Sequence, residues 1–362
     1  MSAQVDILTS ITEQFLPQMN PAERRAALES LQRIIDAEFF KLAQGTPAGV
    51  EACPCCGSVS FVKRGRDHLG KQRYKCKDCG RTFGGSARKI FGSTKLDRAT
   101  WMKYAECFID LLPLRDAAAK CGVCLKTSFF MRHRLLEALR KHMPSFQVEP
   151  GCGVELDETF LPESFKGNHS KSSTFKMPRK ARKHAGKGYA GKKEWQKRPR
   201  GTGDGCICIL TGINDSSDVF YEIACRGSLD SDTAREILHG KLSDGAVIST
   251  DSTKVYNRAI AELDAAVHRS FSAADHGINR INNVHSNLKD FLRGFHGVAT
   301  RRLENYLAWF KWRLSFDRDR TPQEAAELVV KQASQGTYET KWREYRDTPY
   351  PFWDHWQKKG AA

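Results

Sequence analysis

An α+β chain of several domains is what this sequence predicts: a helical amino-terminal segment, a small cysteine-bearing ribbon, a helix pair, and then an α/β domain. Three observations predict it. Two Cys-x-x-Cys spacings lie between Cys53 and Cys79, helical periodicity flanks them, and strand-like runs alternate with helical ones from Val154 to Phe271. At 362 residues the chain is long enough for two or three domains and for a sizeable core without disulfides.

Charge narrows the class of partner. The formal charge is +16, unevenly spread: residues 164–203 hold thirteen Lys/Arg against the single acid Glu194, and residues 51–150 hold twenty basic against nine acidic side chains. Two basic regions point to nucleic acid. No apolar run approaches the roughly 20 residues of a membrane span, and residues 1–18 have no basic leader region. A cytoplasmic protein with no membrane partner is expected. Twelve cysteines would suggest disulfides in a small secreted chain, but four of them stand in paired two-residue spacings, which metal binding explains better.

The elements follow in order. Asn20-Pro21-Ala22-Glu23 reads as an N-cap, a first-turn proline and an acidic third position opening a helix from Arg24 to Leu42, with Leu28, Leu31, Ile34, Ile35 and Phe39 on its core face. Around Ile7, Ile11 and Phe15 a shorter pattern is expected to pack with it. Cys53-Pro54-Cys55-Cys56-Gly57 and Cys76-Lys77-Asp78-Cys79-Gly80 follow one another, with nineteen residues between Cys56 and Cys76. Each knuckle aims two sulfurs at one tetrahedral ion, so Cys53, Cys56, Cys76 and Cys79 are the expected zinc ligands. Cys55 is then a bystander; the other register uses it.

Trp101 to Leu112 suits a helix, and Leu114 to Val123 gives the alanine-rich helix and glycine turn of a helix-turn-helix. Lys126 to Leu139 is then the recognition helix, offering Lys126, Thr127, Arg132, His133 and Arg134 to DNA. Residues 164–203 have no apolar periodicity. Their cations, including Arg179, Lys180, Arg182 and Lys183, suit a nucleic-acid arm that orders on binding.

Strands are expected at Val154–Phe160, Cys206–Ile213, Val219–Ala224, Ala246–Thr250 and Val267–Phe271, with helices at Asp230–Leu242 and Tyr256–Ala265. That order is the order of a ribonuclease H-like fold. Alternation along the first strand puts Asp157 and Glu158 on opposite faces, so only one of them belongs to a given site. In this fold the first and fourth strands are neighbours, which brings Asp157 and Asp251 together. Their hard oxygen donors suit magnesium, or manganese, which uses similar ligands. On the following helix Asn282 stands where a third ligand is expected, with Lys289 two turns along the same face to hold a DNA phosphate; Glu304 is the second choice. Later, Leu303–Leu314 is expected as a buried helix and Thr321-Pro322-Gln323-Glu324 as a capping box, followed by an aromatic tail that packs on the catalytic domain.

At these residues the sequence resembles the zinc-ribbon bacterial insertion-sequence transposases of the ISXO-two-like group, with an Asp-Asp-Asn or Asp-Asp-Glu active site followed by Lys. The likeness runs from the cysteine knuckles through Arg81-Thr82-Phe83, the helix pair from Ala117 to Arg134, Val154 to Phe160, Ser249-Thr250-Asp251, and Asn282 through Val298. Residues 1–50 and the tail after Asp317 match no motif. The resemblance implies metal-site roles for Asp157, Asp251 and Asn282, Lys289 as the associated basic residue, double-stranded DNA as partner, and cleavage and strand transfer at element ends. A homo-oligomer is expected in the active complex. Alternatives are a DNA-binding regulator with an inactive catalytic domain, or a structure-specific nuclease. The expected divisions are 1–50 (helical), 51–85 (ribbon), 86–148 (helix-turn-helix), 149–316 (catalytic, with the insertion 164–203) and 317–362 (helical tail).

Overall fold

A computed structural model describes residues 14–20, 22–28, 30–31, 50–67, 70–85, 87, 89–92, 94–167, 205–261, 267–272, 277–315, 321–338, 340, 345 and 348–355. The expected basic arm with Arg179, Lys180, Arg182 and Lys183 lies outside these residues, as does most of the helix expected over 24–42. The start of that helix is described. Asn20 Oδ1 accepts from the backbone N–H groups of Ala22 and Glu23, and Glu23 reaches back to the Asn20 N–H at 3.0 Å, a reciprocal cap. Phe15 and Leu28 are 51% and 49% exposed, so these two do not pack as the core expected of them, and Ile7, Ile11, Ile34, Ile35 and Phe39 lie outside the described residues.

The ribbon is a three-stranded antiparallel sheet of β1 (Phe61–Arg66), β2 (Gln72–Cys76) and β3 (Thr82–Gly84). Its only sizeable apolar contacts among the described residues are Phe61, Tyr74 and Phe83, with ring centroids 5.5–5.8 Å apart. So small a core does not hold a domain together unaided, and the cysteine cluster must supply the rest. Gly57 and Gly80 sit at φ 75° and 68°; each closes a knuckle in the left-handed region that only glycine enters freely.

Three helices follow: α1 (Arg98–Ile109), α2 (Leu114–Cys121) and α3 (Leu125–His142). Asp97 caps α1 by accepting from Thr100 N–H at 2.7 Å. At the start of α3 the Cys124 sulfur takes the Thr127 N–H at 3.4 Å, filling the place serine usually has. Two carboxy-terminal helices complete this layer, α7 (Leu303–Leu314) and α8 (Pro322–Gln335), the latter opened by the expected Thr321–Glu324 capping box. Ala326, Val329, Val330 and Ala333 of α8 share one core with Trp101, Tyr104, Phe108, Leu135 and Trp309. Phe108 and Trp309 stack at 4.1 Å. The tail therefore divides its packing. Helix α8 packs on the amino-terminal helices and also on α7, whose Trp312 donates to Gln332 at 2.7 Å, while Tyr350 packs on Phe165 beyond the first strand of the larger sheet, as expected.

The larger sheet has five strands: β4 (Gly153–Pro162), β5 (Cys206–Asn214), β6 (Val219–Arg226), β7 (Val247–Asp251) and β8 (Val267–Phe271). They lie in the order β6-β5-β4-β7-β8, the first three antiparallel and β4-β7-β8 parallel. Helices α4 (Ser231–Leu238) and α5 (Lys254–Ala261) cover one face through Leu156, Cys208, Leu210 and Ile248. Helix α6 (Asn279–Arg293) and α7 cover the other through Ile209 and Ile213. Every residue of β5 is buried, which is why it reads as a continuous apolar run instead of an alternation.

Candidate functional site

The site is assembled on the face that α6 covers. Leu156 pairs with Thr250 in the parallel β4–β7 ladder, so Asp157 and Asp251, one step further along each strand, project from the same side of neighbouring strands. On the antiparallel side Asp157 pairs with Thr211 of β5, whose hydroxyl donates to the Asp157 carbonyl at 2.8 Å. Glu158 points the other way and accepts from the Tyr256 hydroxyl of α5 at 2.6 Å. The alternation expected from sequence is thus observed.

Helix α6 is fixed across the strands at its first turn. Glu155 Oε2 accepts the Ile281 N–H at 2.9 Å, and the Arg280 guanidinium donates to the Asn214 carbonyl at 2.6 Å. This docking places His285 over Asp157: its Nδ1 is 3.5 Å from Asp157 Oδ2, and its Nε2 is hydrogen-bonded to Thr211 Oγ1. His285 is buried. It was not among the candidates read from sequence, although its position three residues after Asn282 and four before Lys289 puts it on their side of the helix. Asn282 itself is exposed on the first turn of α6, and Lys289 is exposed two turns on.

Electrostatically the centre is short of positive charge. Burial, then the neighbouring carboxylates of Glu158 and Asp251, push the Asp157 carboxyl up to about 7, with Lys289 opposing. Burial also raises Glu158, and burial followed by the Lys289 charge lowers His285 to about 4. The Asp251 carboxylate is oriented by Thr253, whose N–H and hydroxyl donate to its two oxygens at 3.1 and 2.6 Å. Glu304, the rival third ligand, pairs with Arg140 of α3 at 2.5 Å and belongs to the helical layer. Beyond Lys289 a cleft of about 750 Å³ is lined by Lys289, Arg293, His296 and the end of β4. Lys166, counted with the basic insertion, is structural: its ammonium donates to the carbonyls of Phe295, His296 and Gly297 at 2.9–3.3 Å, the last turns after α6.

In the ribbon, one sulfur from each of Cys53, Cys56, Cys76 and Cys79 lies within 4.8 Å of all the others. Four convergent thiols suit a tetrahedral zinc site. Backbone N–H donation, chiefly from Cys79, draws the Cys76 thiol down to about 6, while burial and the neighbouring sulfurs raise Cys56 and Cys79, so the four sulfurs share their protons as one group. Cys55 stays outside the group and gives its N–H to Cys53 sulfur at 3.4 Å.

The helix pair has the expected glycine turn, but its candidate contacts divide. Lys126 is exposed and Thr127 half-buried at the start of α3. Arg132 is 1% exposed, lies 5.3 Å from the Trp309 ring and donates to the Leu112 carbonyl at 2.5 Å. Arg132 and the equally buried His133 face α7, which corrects the expectation that they meet DNA. Arg134 stacks over Tyr338 at 4.1 Å.

Residues 153–315, which begin with β4 and end just after α7, match the family described as the ISXO2-like transposase domain. Over these residues the chain is similar to that transposase domain. It is also 30% identical over 116 residues to an uncharacterized protein in transposable element ISH50 of Halobacterium salinarum, a stretch covering 32% of this chain and 38% of that protein. The chain thus spans well under two thirds of that curated relative. Asp157, Asp251, Asn282, His285 and Lys289 all fall inside the transposase domain, whereas the cysteine cluster and the helix pair precede it. Among the described residues no helix is long and apolar enough to cross a membrane.

Proposed function

We propose that this protein binds the terminal repeats of an insertion sequence as double-stranded DNA and catalyses divalent-metal-dependent cleavage and strand transfer. The observation that carries the reading is the placement of Asp157 and Asp251 side by side on parallel strands beneath α6, inside a transposase domain. A strand order of three antiparallel then two parallel, with helices on both faces, supports a ribonuclease H-like catalytic domain over 149–316. The donor set fits magnesium or manganese, since half-buried carboxylates that repel one another favour a cation between them. Asp157 and Asp251 would hold it, with the Asn282 amide oxygen as third donor. When bound, such ions polarise the phosphodiester and activate the attacking oxygen.

The chain's own residues do the rest. Thr253 orients the Asp251 carboxylate, and the Thr211 hydroxyl ties down the Asp157 backbone carbonyl. Lys289 and Arg293 line the cleft where a phosphodiester backbone would lie, supplying positive charge without base preference. The ribbon (51–85), the Lys126 end of the helix pair (86–148) and the insertion 164–203 would grip the element end, and joining two ends calls for more than one copy of the chain. Purified protein, element-end duplexes and magnesium or manganese should give strand-transfer products. Cleavage without joining would point instead to a structure-specific nuclease, and end binding without either reaction to a regulator.

A further inference from the structure

The hydrogen bonds around His285 assign it one tautomer. A threonine hydroxyl has one proton, and that of Thr211 is given to the Asp157 carbonyl, which can only accept. Thr211 Oγ1 must therefore accept from His285, so Nε2 carries the ring proton and Nδ1 presents a bare lone pair. That lone pair stands 3.5 Å from Asp157 Oδ2. Two acceptors facing each other inside a protein repel unless a proton or a cation lies between them, and 3.5 Å is too long for an Asp157 proton to be shared with the ring as a hydrogen bond. The separation exceeds a good N–H···O hydrogen bond of about 2.9 Å, while two donors each about 2.1 Å from one ion stand roughly 3–4 Å apart.

The helix adds a second donor at matching pitch. Asn282 and His285 are one turn apart on α6, the i, i+3 spacing by which a helix offers an oxygen and an imidazole nitrogen to one metal. His285 is held from behind as metal-binding histidines usually are, by a hydrogen bond on its far nitrogen that fixes the ring. Here Thr211 does this.

We propose that His285 Nδ1 is a ligand, beside Asp157, of the divalent cation on the α6 face, and that it makes this site favour manganese or cobalt over magnesium. The inference rests on the metal-dependent reading above. Imidazole nitrogen suits the later transition ions, whereas magnesium prefers an all-oxygen shell and gains little from it.

The test uses the full chain with zinc in its ribbon. Manganese and magnesium affinities are measured by calorimetry for the wild type, His285→Ala, His285→Gln and Asp157→Asn. Both His285 variants should lose about tenfold or more in manganese affinity, with magnesium affinity changed less than threefold. Because a buried histidine variant can misfold, the wild type is also examined directly: manganese-loaded protein labelled with 15N-histidine should show electron–nuclear coupling to a histidine nitrogen. Absence of that coupling, or unaltered manganese affinity in folded His285 variants, overturns the proposal. If Asp157→Asn weakens binding while the His285 variants do not, only the histidine assignment fails. If Asp157→Asn changes nothing either, the cation site itself has been misplaced and both readings fall.

Discussion

Asp157 and Glu158 are consecutive in sequence yet serve opposite faces of the sheet, Asp157 beneath His285 of α6 and Glu158 against the Tyr256 hydroxyl of α5. A strand that carries two acids in a row thus commits one to the candidate site and the other to holding a helix.

Asp157→Asn and Asp251→Asn should each abolish cleavage and joining while leaving binding to element ends intact, because neither touches a recognition element. Asn282 is the finer probe. Asn282→Ala should cripple the metal-dependent steps, and Asn282→Glu should retain part of the activity by offering a carboxylate at the same place. Full strand transfer by Asn282→Ala, with loss in Glu304→Gln, would place the third ligand on α7 instead.

The raised Asp157 carboxyl has a consequence for metal-free stability. Its proton is held to about 7 in the folded chain against an ordinary value of 3.8. Between those values the folded state binds more protons than the unfolded one, so this group's contribution to stability falls as pH rises. Asp157→Asn should therefore be more stable than the wild type at pH 8 by roughly 2–4 kcal/mol, an advantage that shrinks as pH falls from 7 toward 4. Urea titrations at several pH values check this, and added manganese should narrow the difference at pH 8. An advantage that grew toward low pH would reverse the assignment.

One zinc should bind per chain, and chelation should unfold the ribbon, since Phe61, Tyr74 and Phe83 alone form too small a core. Metal analysis of the Cys76→Ser, Cys79→Ser double variant should show the zinc lost, whereas Cys55→Ser should keep it. Full zinc in the double variant would sink the four-cysteine assignment.

Lys126 and Arg132 should behave as different kinds of residue. Lys126→Ala should weaken DNA binding without destabilising the fold. Arg132→Ala should instead lower stability by about 1–3 kcal/mol, through its lost contacts with Trp309 and the Leu112 carbonyl. Joint replacement of Arg179, Lys180, Arg182 and Lys183 should flatten the salt dependence of DNA affinity, because each lost phosphate contact removes about one released counterion. An unchanged slope would show that this segment does not touch DNA.

What could be read from sequence was what is local. Strand alternation separates Asp157 from Glu158 within two residues, the knuckle spacing gathers four sulfurs, and caps at Asn20 and Thr321 need only three positions each. What escaped depends on distant partners. His285 joins the site through Thr211, 74 residues away, and no periodicity of α6 alone distinguishes a histidine beneath the sheet face from one in an ordinary core. Arg132 looked like a groove contact because its own helix offers no reason to bury it; Trp309, far along the chain, supplies the aromatic surface that does.

The seating of α8 on α1 and α3 has a temporal side. Those helices emerge from the ribosome about two hundred residues before the strip of Ala326, Val329, Val330 and Ala333 that seals them. Until residues 322–335 have been made their apolar flanks lack this cover, and a chain stopped before residue 322 would leave them bare. Such fragments should aggregate or be degraded instead of persisting as folded amino-terminal pieces.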